Sequence, residues 1–570
     1  MGVTRKRALA LSTIVTAGAL ALTACAGARG GEPAASNDGA EWSQTTPEAS
    51  GNAGTISWGF YYEPATVDPA HSFNYAENQA DANMCESLYV LNPDFSSSPS
   101  LAEETERPDD TTYVFTIRDG VTFWDGTPLT AEDVAFSLNR NLDPEVASYF
   151  SQNYTNVQSV EATGEREVTV KLAQPDVLFE AGLSTAATAI VQQAFTENAG
   201  AEFGAPSTGV MCTGPFQFDS WTPGTSLVMT KNENYWNTER AALSDRIEFS
   251  FLPEPSTQTN ALMTGQLDGM YQVPASSIAQ LQASPSGTLY LGESLITFDI
   301  IGGAREGAFA DPKIRKALSL ALDREAIASN VFAGAAEPAN TLVSSTAWGY
   351  APEVFEEAAA EIAPAEVDLE AAKALVAEAG SPTDTIVLAY NSGDTSMVQV
   401  ANEAQSAAEQ IGLKLELKPM PSTAYQTIFF DPETQAGVDA WMTIWYANTP
   451  EPLDVYSMFI EGASSYNFSG YSNADVNADL TAALSELDET KRAELVVKAQ
   501  ATLVEDVPWI PVVHLANTLY MNDRVTGAPA SFIDLYSPWG AQVGTPGPVG
   551  WVVRPPCSRS TDPVRGPASD

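Results

Sequence analysis

The sequence predicts an α/β body with a mixed or parallel sheet, divided into two or three lobes. Three observations carry that prediction. Helix and strand periodicities alternate over residues 311–419, no transmembrane candidate interrupts the body between 55 and about 536, and 570 residues that are 44% hydrophobic bury a large core.

The chain opens with Arg5, Lys6 and Arg7 before an uncharged stretch at 8–22. That stretch is too short for a comfortable membrane span and has the length of a secretion signal. A secretion signal needs only small residues at its cleavage point, yet here Leu22-Thr23-Ala24 leads into Cys25. The tetrapeptide resembles the lipobox of bacterial lipoproteins, which implies a lipid on Cys25 and removal of residues 1–24 as a signal peptide. Residues 27–53 are rich in Ala, Gly, Ser, Glu and Pro. They read as a flexible leash, so 25–53 is expected to be a lipid-anchored linker.

Composition then excludes several function classes. Lys+Arg total 27 against 73 Asp+Glu, a formal charge of -46, and such a surface repels phosphate, so nucleic acid is not an expected partner. Two histidines, His71 and His514, leave little material for a Ser-His-Asp hydrolase or a multi-histidine metal site. His514 lies in the strand-like IPVVHL, where a structural role is expected. Carboxylates are too numerous for counting to exclude a glycosidase, which needs only two. No cofactor or protein-held metal is expected. Apart from Cys25 and the tail Cys557, the cysteines are Cys85 and Cys212. Outside the cytoplasm they stand either as a disulfide or as two separate buried thiols.

In YVFTIRDGVTFWDGTPLTAEDVAFSLNR (113–140), Tyr113, Phe115 and Ile117 alternate with Val114, Thr116 and Arg118. Asp119-Gly120 supplies a turn and Val121 and Phe123 resume the alternation, which predicts a hairpin. Thr130 with Asp133 forms a capping box for a helix through Val134, Phe136 and Leu138. Further on, Asp311 caps, Pro312 suits the first helical position, and Ile314, Ala317, Leu318, Ala321 and Leu322 share a face. A second helix groups Leu369, Ala372, Leu375, Val376 and Ala379 and stops at Gly380 before Pro382. The strand-like TIVLAY (385–390), a helix to Gly412 and LKLELKP then complete the alternation.

The segment at 113–140 resembles the signature region of family 5 extracellular solute-binding proteins, the peptide and nickel binding components of ABC importers. EPATVDPAHSFNYAENQADANMCESLYV, CTGPFQF, KNENYW, NALMTGQLDGM and DPKIRKALSLALDREAIASNVFAG resemble other blocks of that family in order. The resemblance implies a two-lobed periplasmic-binding-protein fold (type II, cluster C-like) with an additional subdomain. It implies lobe I at 54–80, 208–298 and 517–545, the subdomain at 81–207 and lobe II at 299–516; the return of Pro, Gly and charge after Trp539 separately predicts a disordered tail, placed at 546–570. It also implies no enzymatic activity. The implied function is capture of a small, peptide-like solute and its delivery to an ABC permease by a monomer. Its place is the outer face of a bacterial cell membrane, or the periplasm where an outer membrane exists.

A solute clamp needs aromatic walls and a few placed polar groups. GFYYEPATVDP leaves a strand with Tyr61 and Tyr62 at its end, where open α/β sheets present ligands, and Phe73 and Tyr75 follow. DAWMTIWYANTPEPLD carries Trp441, Trp445, Tyr446 and Asn448, and resembles the family segment lining the peptide cleft. These eight residues are the ligand-binding candidates. Where peptide-binding members hold an aspartate for the free amino terminus, aligning Glu451-Pro452 places Asn448, a neutral amide. The ligand is then a blocked peptide, an uncharged solute such as a saccharide, or a peptide oriented by another acid such as Asp439 or Glu63. Gly302 and Gly303 would let a ligand approach the backbone, while Arg305 reads as a carboxylate partner or a solvent-facing loop residue. Trp348 and Tyr350 are further loop candidates. Scarce histidine disfavours free nickel, although a chelated metal needs few protein ligands. The rivals are carbohydrate uptake on the same fold, an anchored hydrolase needing paired carboxylates or a metal, and a protein-binding sensor lipoprotein.

Overall fold

The computed structural model describes residues 42–303, 306–462 and 464–547. Residues 1–24, Cys25, Arg305, Cys557 and nearly all of the expected tail lie outside the described residues.

One eleven-stranded mixed sheet runs through the body. At its middle two long strands, Gly287–Gly302 and Trp509–Asn522, pair antiparallel from Gly287 opposite Asn522 to Ile301 opposite Trp509. On one side the sheet continues through Gly269–Tyr271 to Thr55–Phe60, which runs parallel to Arg246–Phe251. On the other side Ala440–Tyr446 leads to the parallel pair Thr385–Asn391 and Lys414–Met420. The ladder shifts register between Gly292 and Ile296, where a bulge bends the chain as it passes between two cores. The fold is therefore two-lobed. The expected boundaries at 298/299 and 516/517 fall inside these crossing strands, which belong to both lobes.

Lobe I packs around Trp58, Phe249 and Trp539, with the Trp58 and Trp539 rings 4.7 Å apart. Lobe II packs around Ile300, Trp441 and Trp509. A separate core around Tyr113, Phe115 and Val134 lies under the four-stranded antiparallel sheet of the subdomain. The helix Tyr75–Met84 is buried at all ten positions and is tied to lobe I: Trp539 Nε1 donates to Gln79 O at 3.1 Å and Gly540 N to Asn83 Oδ1 at 2.7 Å. The subdomain edge therefore falls after Cys85 and not at 81. There Cys85 is disulfide-bonded to Cys212, with Cα atoms 5.0 Å apart, across 127 residues. A loop of that length stabilises by roughly 5 kcal/mol in the entropic limit.

The local chemistry explains the helix starts. Thr130 and Asp133 complete a reciprocal capping box before Ala131–Asn139. The Asp311 side chain accepts from Lys313 N, with Pro312 leading Pro312–Ala321. Asp368 caps Leu369–Glu378.

Four expectations are corrected. The hairpin at 113–123 does not form. Thr112–Ile117 pairs instead with Ala102–Asp109 and Glu167–Leu172, and Val121 and Phe123 are buried in a tight loop closed by Thr127 and Leu129. The leash does not extend to Ala53. Ser43 N donates to Leu291 O at 2.8 Å, Thr46 Oγ1 to Ala528 O at 2.8 Å, and Ala49–Gly51 pairs with Thr545–Pro546. Backbone and hydroxyl hydrogen bonds to existing edges hold a segment that has too few apolar residues to fold alone. The same pairing places Pro546 in a strand, where a disordered tail was expected to begin. Phe532, Ile533, Leu535 and Tyr536 pack into the lobe II core, so 517–545 is not wholly lobe I.

Candidate ligand cleft

Chain segments from both lobes and the subdomain wall a cavity of about 790 Å³. Lobe I contributes the run after its first strand, including Tyr62, Phe73 and Tyr75. Tyr62 donates to Glu77 Oε2 at 2.7 Å and accepts from Ala76 N at 2.9 Å, which fixes its ring against the wall. Tyr75 meets Tyr446 edge-on at 5.3 Å, and its buried hydroxyl has no hydrogen-bond partner among the described residues.

The strand Ala440–Tyr446 reaches the cavity with its last residues. Trp445 sits between the rings of Tyr466 and Trp509, 5.2 and 5.5 Å away. Tyr446 donates to Phe73 O at 2.5 Å, a direct link between the two lobes across the cavity wall. Asn448 is fully engaged: its Oδ1 accepts from Tyr536 at 2.5 Å, its Nδ2 donates to Asp454 Oδ2 at 2.9 Å, and its backbone N donates to the same oxygen. Burial pushes the Asp454 carboxyl up to about 6, against the pull of those two bonds.

Two of the eight candidates do not line the cavity. Tyr61 follows the end of the first strand, where the chain bends; its ring packs edge-on against Tyr62 at 4.7 Å and against Tyr75 at 6.4 Å, off the cavity wall. Trp441 is 1% exposed and packs on Phe468 at 5.0 Å. It sits four residues, roughly 13 Å, before Trp445 along the strand. The space beside Gly303 is filled by that same Trp441 ring, so the glycine serves packing and not ligand approach. Trp348 stacks on Phe355 and Tyr350 lies against Arg492, both away from the cavity.

Neither acid offered as a replacement is free. Asp439 accepts from Val387 N at 2.8 Å outside the cavity, and Glu63 lines it with its oxygens taken by Trp221 Nε1 and Gly224 N at 2.9 and 3.0 Å. His514 lies in the sheet, bonded to Thr341 O at 3.0 Å, and burial lowers it to about 4, so it is neutral.

Sequence reasoning missed Asp454, six residues beyond Asn448 in the same segment. It also missed the aromatics of the cavity mouth, Tyr149 and Phe430, which are 47% and 59% exposed. Their signal was a pair of bulky rings in polar surroundings, Tyr149-Phe150 and Phe429-Phe430. Among the described residues no group of three or more His, Cys, Asp or Glu side chains is arranged for a metal ion. No described helix is long and apolar enough to cross a membrane.

The family model for bacterial extracellular solute-binding proteins, family 5 middle, matches residues 97–467. The chain is 27% identical over 458 residues to the glutathione-binding protein GsiB of Salmonella typhi, covering 79% of this chain and 86% of that one. Its fold is similar to the oligopeptide-binding protein AppA of Bacillus subtilis in complex with a nonapeptide. That match has TM-score 0.75 and 23% identity, over 88% of this chain and 99% of the other. It is also similar to the binding protein DppA of Helicobacter pylori in complex with the peptide STSA, with TM-score 0.76 and 21% identity, over 87% and 98%.

Proposed function

The chain belongs to family 5 of the bacterial extracellular solute-binding proteins, and from that premise we propose that it captures a peptide-like solute between its lobes for an ABC permease. Members of this family bind solute and do not catalyse. The observation that carries the reading is the aromatic cavity walled by both lobes and the subdomain, with Tyr446 of lobe II bonded to the Phe73 carbonyl of lobe I beside it. Ligand that touches both walls favours the closed arrangement, and the bulge in the crossing strands is where the lobes hinge. The permease then reads the closed state. Tethering through a lipid on Cys25 would keep the protein near that permease.

Thermal unfolding of the purified protein with mixed tripeptides and with oligosaccharides tests this. A peptide at a hundred times its dissociation constant should add about 2.7 kcal/mol of stability. Stabilisation by saccharides and by no peptide would overturn the peptide reading.

A further inference from the structure

Among the described residues the cleft is lined by four carboxylates, Glu63, Glu77, Asp176 and Asp454, and by no lysine or arginine. Its one basic group, His71, is committed elsewhere: Nδ1 contacts Asp68 Oδ2 at 3.1 Å and Nε2 contacts Val146 O at 2.6 Å. A solute carboxylate entering this space would shed water and, among the described residues, meet only an imidazole whose two ring nitrogens are already bonded.

The four acids are not equivalent. Glu63 is bonded as described above. Glu77 accepts from Tyr62 and from Ala65 N at 2.8 Å. Asp176 caps a helix through Leu178 N and Phe179 N with one oxygen and takes Asn156 Nδ2 at 2.8 Å with the other. Asp454 directs Oδ2 to Asn448 and leaves Oδ1 without a protein donor among the described residues. A lining carboxylate with one oxygen unclaimed, in a cavity also walled by Tyr446 and Tyr75, matches an N–H-bearing cation on an apolar frame.

Building on the solute-capture reading, we propose that the cleft selects solutes carrying a positive charge, with Asp454 Oδ1 receiving the cationic group and Asn448 positioning Asp454. Asp454 stands six residues beyond Asn448, in the first turn of the short helix Leu453–Tyr456. The net charge of -46 adds a long-range field that concentrates cations at the cleft mouth.

Calorimetric titration of the purified protein with three tripeptides, Leu-Lys-Leu, Leu-Gln-Leu and Leu-Glu-Leu, each acetylated at the amino end and amidated at the other, isolates the charge. The lysine peptide should bind tightest and the glutamate peptide weakest, with roughly tenfold to a hundredfold between lysine and glutamine. Asp454→Asn should reduce that ratio about tenfold while its melting temperature shows it folded. Equal binding of all three peptides, or an unchanged ratio in the variant, overturns the charge proposal and leaves peptide capture standing. Binding of none of them overturns both.

Discussion

Glu451 and Asp454 stand three residues apart, one just before and one inside the short helix Leu453–Tyr456, and both are pushed up by burial, Glu451 to about 7 and Asp454 to about 6. Their surroundings are opposite. Glu451 faces the lobe II core, where Tyr350 donates to Oε1 at 3.1 Å, Leu453 N donates to the same oxygen at 3.0 Å, and Arg492 lies 3.6 Å from Oε2. The Arg492 guanidinium is stacked 3.9 Å over the Tyr350 ring, so the whole group is closed on itself. Asp454 lines the cleft, and its Oδ1 has no protein donor among the described residues. A raised carboxyl therefore does not by itself mark a binding group; the unclaimed oxygen in an open cavity does.

The sharpest way to break this contrast is to remove the partner of Glu451. Arg492→Met leaves a buried acid without its cation and should destabilise by about 3–5 kcal/mol at pH 8. The loss should shrink near pH 6, where Glu451 takes up a proton. Adding Glu451→Gln should restore most of it. If denaturant unfolding shows the single variant within 1 kcal/mol of the parent, the pair is not what closes that side of the loop.

A smaller effect is expected from making the cleft side resemble the core side in charge. Asn448→Asp sets a second carboxylate against Asp454, so one of the two must hold a proton in the folded state. The folded pair then binds protons that the unfolded chain releases, and stability falls as pH rises from about 5 to 8. A cost of about 2 kcal/mol at pH 8, absent near pH 5, is the expected signature. A pH-independent change would mean that Asn448 and Asp454 do not share a bond in solution.

These contrasts also mark how far the sequence could be read. Alternation and capping residues located Thr112–Ile117, Ala131–Asn139 and Pro312–Ala321, because those signals act within a few residues. The pairing of Thr112–Ile117 was misread because a turn dipeptide at Asp119-Gly120 says that the chain reverses, not which strand receives it. In the cleft, Tyr62, Phe73, Tyr75, Trp445, Tyr446 and Asn448 reach the wall. Trp441 was indistinguishable from Trp445 by residue type, since only position along the strand separates core from cavity. Asp454 was illegible for a related reason: its meaning depends on which of its oxygens a distant Tyr536–Asn448 contact leaves unclaimed.

Asp299 supplies a third acid for comparison, buried in a crossing strand with no salt-bridge partner among the described residues. It accepts from Thr297 Oγ1 at 2.6 Å, its Oδ1 has no partner among the described residues, and burial raises it to about 7. The folded protein holds that proton while the unfolded chain releases it near its ordinary value. The resulting stability is fully present at low pH and is lost as pH rises through about 7. Asp299→Asn should be more stable than the parent by about 2 kcal/mol at pH 8 and should lack that slope. Unlike Asp454→Asn, it should leave the order of tripeptide affinities unchanged.

The smallest expected effect comes from Tyr536→Phe, which removes only the donor to Asn448 Oδ1 from behind the cleft. It should cost about 1 kcal/mol in stability. An amide released from Tyr536 is free to turn, and Asp454 then loses the Asn448 Nδ2 bond and keeps only the one from Asn448 N. The variant should therefore weaken the lysine tripeptide more than the glutamine one, by less than Asp454→Asn does. Equal weakening of both peptides would mean that Tyr536 shapes the cleft without orienting its charge, and the positioning role of Asn448 would fall with it.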